Sequence, residues 1–222
     1  MAIRAVMAWS GGKDSACALW RLQQGPRYEV TGLLTTLTEG YDRVSMAGIR
    51  RELLHAQADA LGISVREVWI PPAAANATYE DRMGAAVREL LADGVQAVAF
   101  GDLFLEDVRA YRERMLAGTG LEPVFPLWGA PTLALARRMM SDGFQAILTC
   151  VDPRQAPPDF AGRDFDESLL AGLPLGADPC AENGEFHTFV WDAPNYSAPI
   201  AVKRGEVVER DGFVFADLLP AR

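Results

Sequence analysis

Apolar residues along this chain gather in short runs: IRAVMAW (3–9), YEVTGLLTT (28–36), SVREVWI (64–70), VQAVAF (95–100) and QAILTCV (145–151). Each has the length of a buried strand. Between them the spacing turns helical. SMAGIRRELLHAQADALG is expected to start a helix at a Ser45 cap, to place Ile49, Leu53, Ala56 and Ala60 on one face, and to stop at Gly62. YEDRMGAAVRELLADG repeats the pattern with Met83, Val87 and Leu90, and LEDVRAYRERMLAG and TLALARRMMSDG continue it, each ending near glycine. Strand and helix in alternation predict an α/β fold, a doubly wound parallel sheet covered on both faces. After about Val151 the texture changes. DPRQAPPDFAGRDF reads as loop, and APIAVKRGEVVERDGFVFADLL alternates around the turn signal RDG, which predicts an antiparallel hairpin in a smaller C-terminal α+β lobe.

The first strand-to-helix turn is SGGKDS, Ser10 to Ser15. In an open parallel sheet, ligands settle outside the carboxyl ends of the strands, where the strand order reverses. Gly11 and Gly12 let the backbone approach a ligand, and the amides that open the next helix offer unpaired donors and partial positive charge. That environment suits phosphate. Ser10 and Ser15 add hydroxyls, Lys13 adds a compact cation, and Asp14 is placed to hold magnesium or to orient the loop. Neither GxxxxGK[ST] nor GxGxxG occurs here. The spacing resembles the PP-loop of the adenine nucleotide alpha hydrolase superfamily (the HUP-type fold), whose members generally cut ATP between the α and β phosphates. The plain alternative is a turn that only caps a helix.

Composition narrows the partners. Half of the 222 residues are apolar, enough for a substantial core, and the formal charge of -9 argues against broad contact with a nucleic-acid backbone. Of 21 basic residues only Lys13 and Lys203 are lysine, so a lysine inside the glycine-rich turn stands out. Cys17, Cys150 and Cys180 are scattered, form no CxxC pair, and fit a reducing cytoplasm. No uncharged run reaches membrane-span length, and MAIRAVMAW is too short for a signal peptide, so no membrane partner is expected.

A second constellation lies in DPCAENGEFHTFVWD, Asp178 to Asp192, which gathers Glu182, Asn183, Glu185, His187 and Thr188 around Gly184. Carboxylates beside a histidine suit general acid or base work, or the holding of an amine. In an extended segment Glu185 and His187 share a side; in a helix Glu182 and Glu185 do. A solvated acidic loop is the bland reading. GDLFLEDVRAYRERM starts at the end of the fourth apolar run and offers Asp102, Glu106, Asp107 and Arg109 either as substrate contacts or as ordinary charges of a helix start. Trp128, in EPVFPLWG, reads as an aromatic at a lobe junction, and His55 and Cys17 read as structural.

Together, SGGKDS, ENGEFHTF, GDLFLEDVRAYRERM and EPVFPLWG resemble the diphthine–ammonia ligase family and its bacterial and archaeal relatives, over almost the full length. The resemblance implies a PP-loop ATP-binding domain over 1–125 and a smaller substrate and catalytic lobe over 126–222. It implies ATP with Mg2+, gripped by Ser10, Gly11, Gly12, Lys13, Asp14 and Ser15, with Asp14 on the metal. A carboxylate would be adenylated, pyrophosphate would leave into the loop, and ammonia would displace AMP to form an amide. Lys13, Glu182, Glu185 and His187 would be catalytic, and Asp102, Glu106, Asn183, Gly184 and Thr188 would meet substrate. The acceptor would be an elongation-factor-like protein or a small molecule, with ammonium as co-substrate. Relatives often carry glycine where this chain has Ala181, which bears on chemistry or specificity. Other readings are an RNA-modifying PP-loop enzyme, for which acidic balance and missing cysteine pairs are a poor fit, and an ATP-sensing regulatory module, which leaves ENGEFHT unexplained. The terminal meander is a candidate homodimer contact.

Overall fold

In a computed structural model that describes residues 1–221, β1 (Ile3–Ala8) leads through α1 (Lys13–Gln23) to β2 (Tyr28–Thr38), a two-residue β3 (Arg43–Val44), α2 (Arg51–Leu61) and β4 (Val65–Ile70). The chain then crosses β1 through α3 (Asn76–Ala92) to β5 (Ala97–Ala99), and reaches β6 (Glu122–Val124) through α4 (Glu106–Leu116). The parallel strands lie in the order β4, β2, β1, β5, β6, so the order reverses between β1 and β5. Each strand alternates its apolar residues between two faces. Met7, Leu33 and Leu37 look toward α1 and α2 with Leu19, Leu53 and Leu54, whereas Val6, Leu34 and Val98 look toward α3 and α4 with Val87, Leu90 and Leu116. The sheet is therefore doubly wound, and each fully buried leucine contributes roughly 1.5–3 kcal/mol.

Beyond α5 (Thr132–Ser141), a second sheet forms from β7 (Gln145–Val151), β8 (Phe186–Asp192), β9 (Val202–Arg210) and β10 (Phe213–Pro220), in the order β8, β7, β10, β9 and antiparallel throughout; the short α6 (Glu167–Gly172) lies between β7 and β8. The expected hairpin forms, turning at Asp211 and Gly212. QAILTCV departs from expectation: it is β7, a central strand of the second sheet, whereas the fifth parallel strand is β6. A strand buried on both faces reads as a continuous apolar run in either sheet, and β6 is short and contains Pro123, which an edge strand tolerates.

The second helix also departs. It starts at Arg51, not at Ser45. Met46 and Gly48 have φ of 65° and 68°, outside the helical region, and Ser45 donates its amide to Thr36 O and pairs its hydroxyl with Thr38. Ser45 therefore belongs to the wall above the sheet. The second sheet packs on the α1 and α2 side of the first, and one continuous apolar cluster runs from Met7 through Phe144, Phe189 and Leu218. No helix is long and apolar enough to cross a membrane, among the described residues.

Candidate active site

The turn between β1 and α1 is held from outside. Gly11 has φ of 79°, and a Cβ there would stand 2.8 Å from Ile49 Cδ1 and 2.9 Å from Gln57 Oε1, so α2 and the residue that precedes its cap leave no room for a side chain. Gln57 is fully buried; it donates to Gly11 O (2.9 Å) and Val190 O (2.7 Å), and it accepts from Trp9 Nε1 (2.9 Å). From β8, Val190 N donates to Gly11 O, and Thr188 Oγ1 accepts from Lys13 N at 3.1 Å. Inside the turn, Gly12 N donates to Ser10 Oγ, Ser10 and Ser15 hydroxyls pair at 3.2 Å, and Ser15 Oγ donates to Gly12 O. Thr188, expected to meet substrate, is buried and braces the loop through Lys13 N.

Lys13 reaches across to the second lobe. Its ammonium, 2% exposed, donates to Asp14 Oδ2 at 2.8 Å and to Cys180 O, and it lies 5.5 Å from the ring centroids of Phe165 and Phe186. Burial works against the charge, but Asp14, with Cys180 and Asp178, outweighs it and raises the ammonium above its ordinary value. Asp14 is pushed up by its own burial, which Lys13 offsets only in part. Its Oδ1 is buried without a partner. An orphaned carboxylate oxygen beside a phosphate-sized turn suits one ligand of Mg2+, which ordinarily takes one or two carboxylates and fills its shell with water and substrate phosphate. No cluster of three ligating side chains is present among the described residues.

The segment 178–185 folds around Glu185. That carboxylate, 1% exposed, accepts from Asp178 N (2.7 Å), Asn183 N (3.0 Å) and Asn183 Nδ2 (3.1 Å). Asp178 in turn accepts from Glu182 N. The expected catalytic Glu185 is thereby committed to shaping the turn, and it takes Asn183 with it. His187 is lowered by burial, then by Lys13, to about 4, so the ring is neutral near pH 7.

Glu182 faces the other way. Its Oε1 accepts from Leu103 N at 2.7 Å and from Phe104 N, which fastens the turn to the loop after β5. Burial, with Asp14 and Asp102 as like charges, pushes this carboxyl up to about 7 against those two amides. Asp102 is raised by burial as well, with Arg112 3.5 Å away opposing the shift. Gly101 makes the approach possible, since a Cβ there would lie 3.0 Å from the Asp14–Ser15 peptide. Glu106 and Asp107 are exposed on the first turn of α4, and Arg109 lies over Phe125 and Trp128.

Beside the turn, at the reversal of strand order, opens a cavity of about 170 Å3. Ala8, Trp9 and Ser10 form one side and Val98 and Phe100 another, and Thr36, Val44 and Ser45 line it from β2 and β3. Its walls are largely apolar and it meets the loop at Ser10, as a flat base with a phosphate tail requires.

The sequence matches the family model "Diphthamide synthase N-terminal domain" over residues 3–123, and "Diphthamide synthase C-terminal domain" over residues 132–216. The chain belongs to the diphthamide synthase family. Among curated proteins it is similar to the diphthine–ammonia ligases of Homo sapiens (30% identical over 127 residues, 55% of this chain and 48% of that protein) and Danio rerio (31% over 127 residues, 55% and 50%). The chain spans about half the length of the curated relatives it matches. Among solved structures, a U34-tRNA thiolase from Methanococcus maripaludis overlaps 62% of this chain and 56% of its own, at 18% identity and a TM-score of 0.41.

In this diphthamide synthase family member, Ala181 sits in the turn at φ 58°, a left-handed conformation that glycine adopts freely and alanine does not. Alanine there holds that conformation as backbone strain. Cys180, beside it, is buried, donates to Thr132 O and is pushed up to about 12 by burial, which disfavours the thiolate. Gln57 escaped sequence reading because a glutamine on an amphipathic helix carries no motif; its three partners come from two stretches of chain, residues 9–11 and Val190, both far from it in sequence.

Proposed function

We propose that this chain is an ATP-dependent ligase that joins ammonia to a carboxylate through an acyl adenylate. One juxtaposition carries the reading: a base-sized cavity meets the SGGKDS turn at Ser10, while Glu182, pushed up to about 7, stands beside Asp14 and Asp102 at the same end of the sheet. In this reading residues 1–125 hold ATP, and residues 126–222 supply the acceptor side.

The acceptor carboxylate oxygen attacks the α phosphorus, and the Pα–O bond to the departing pyrophosphate breaks with its electron pair. Ser10, Ser15 and the positive end of α1 receive that charge. Lys13 lies next to them; direct contact with pyrophosphate requires its ammonium to exchange Cys180 O for a phosphate oxygen. Mg2+, held through Asp14, would spread the developing negative charge. Ammonia then adds to the acyl carbon, the C–O bond to AMP breaks, and the new nitrogen gives its extra proton to Glu182, which is part ionised near neutral pH. Glu185, Asn183 and Thr188 position these groups and do not touch the reacting atoms.

The name of the curated relatives points to diphthine as one acceptor, which the family resemblance places on an elongation-factor-like protein; a free small carboxylate is the other. The test is product analysis with ATP, labelled ammonium and each acceptor class. Expected are AMP, pyrophosphate and labelled amide in equal amounts. Formation of ADP and phosphate, or AMP release with no nitrogen gained by any acceptor, overturns the reading.

A further inference from the structure

The wall of the cavity over β2 is built from a segment with little support of its own. Residues 33–38 of β2 already pair with β4 along one edge, so β3 takes the other edge, just beyond the point where β1 ends at Ala8 opposite Leu34. That placement brings Val44 and Ser45 over the cavity. The segment then doubles back through Met46 and Gly48, both at positive φ, and Met46 is largely exposed. Its internal bonds are few: Gly48 N to Val44 O, Val44 N to Ile49 O, and Ala47 N to Ser45 O.

Besides the bonds of Ser45 to β2, its anchor comes from the far end of the chain. Asp217 of β10 accepts from Arg43 Nη1 at 2.9 Å, from Arg50 Nε at 3.0 Å and from Arg50 Nη2 at 2.6 Å. Arg43 also donates to Gly48 O at 2.7 Å. One carboxylate thus ties both ends of the 43–50 segment, and the Phe215 ring packs against Gly48 so closely that a Cβ there would stand 3.0 Å from it. The two arginines need this partner: with it removed, two guanidinium groups face each other at the ends of a strained turn.

We infer that Asp217 is a positioning residue for the nucleotide, holding Val44 and Ser45 against the cavity by tethering Arg43 and Arg50 from the second lobe. The inference rests on the reading of the cavity as the ATP site. Its consequence is that the C-terminal lobe sets nucleotide affinity without touching nucleotide.

Calorimetric titration of the full chain with ATP tests it. The wild type binds, and Asp217→Asn, which keeps shape but loses the charge that both arginines share, weakens binding about tenfold, with Asp217→Glu restoring most of the loss. Affinity is read at a temperature where circular dichroism shows the variants folded, so lowered stability alone does not move it. Should Asp217→Asn not fold, Arg50→Ala, which leaves β10 and the Arg43 bond intact, is expected to weaken binding in the same direction. Wild-type affinity in folded Asp217→Asn or Arg50→Ala overturns the inference and leaves the ATP site standing. No binding by the wild type removes both.

Discussion

Glu182 has two faces, one taking the amides of Leu103 and Phe104 and one turned toward the carboxylates of Asp14 and Asp102. The proposed base is its ionised form, so turnover should rise with pH through about 7 and level off above it. His187, lowered to about 4, is neutral throughout that range and cannot produce the limb. Glu182→Gln should remove the limb and lower turnover at pH 8 by about a hundredfold or more; an unchanged pH profile in that variant would show that another group takes the proton. The same raised pKa acts on stability. Between about 4.5 and about 7 the folded state holds a proton that the unfolded state has released, so stability falls as pH rises across that window, and Glu182→Gln should flatten this part of a denaturation series. At Ala181, glycine relieves the left-handed strain but adds freedom to the unfolded chain; the balance favours Ala181→Gly by about 0.5 kcal/mol in urea melts, and a loss of stability would mean that the buried methyl matters more.

The SGGKDS turn owes its shape to two elements remote in sequence, α2 through Gln57 and β8 through Thr188 and Val190. Gln57→Leu keeps the volume but strips Trp9 Nε1 and Val190 O of their strongest partner in a site without solvent. A cost of about 3 kcal/mol is expected, with weaker ATP binding because the turn loses its brace on Gly11. Stability within 0.5 kcal/mol of wild type, roughly the size of an ordinary surface change, would refute the brace. The turn itself was legible: glycines, hydroxyls and lysine between a strand and a helix pattern announce it, and the hairpin around RDG was equally plain. The start of α2 was not. Ser45 followed by apolar residues at helical spacing is a sound cap signal, and it lost to the pairing of β3 with β2, which periodicity cannot report.

The two sheets share one apolar cluster, and Lys13, Thr188 and Asp217 each cross between them. This predicts that the protein unfolds as a unit. Its three cysteines offer a probe, since all are free and buried, with Cys17 pushed up to about 11 and Cys150 and Cys180 to about 12 by burial. Cys17 lies under the first sheet, Cys150 and Cys180 in the second lobe. Under rising urea, all three should become reactive to a thiol reagent at one midpoint; earlier labelling of Cys150 and Cys180 would mean that the second lobe opens alone.

Local order in the chain was enough to specify the parallel α/β pattern, the glycine-rich turn between β1 and α1 and the antiparallel end, because each depends on spacing among near neighbours. It also marked out the 178–188 segment as chemistry. How those side chains divide was decided only in three dimensions, where Glu185 turns inward to three N–H groups and Glu182 outward to the loop after β5. The membership of β7 in the second sheet, the role of Gln57 and the grip of Asp217 were decided there too. An apolar run, a lone glutamine and a lone aspartate read alike in many settings, and their partners are set by pairings between distant stretches of backbone.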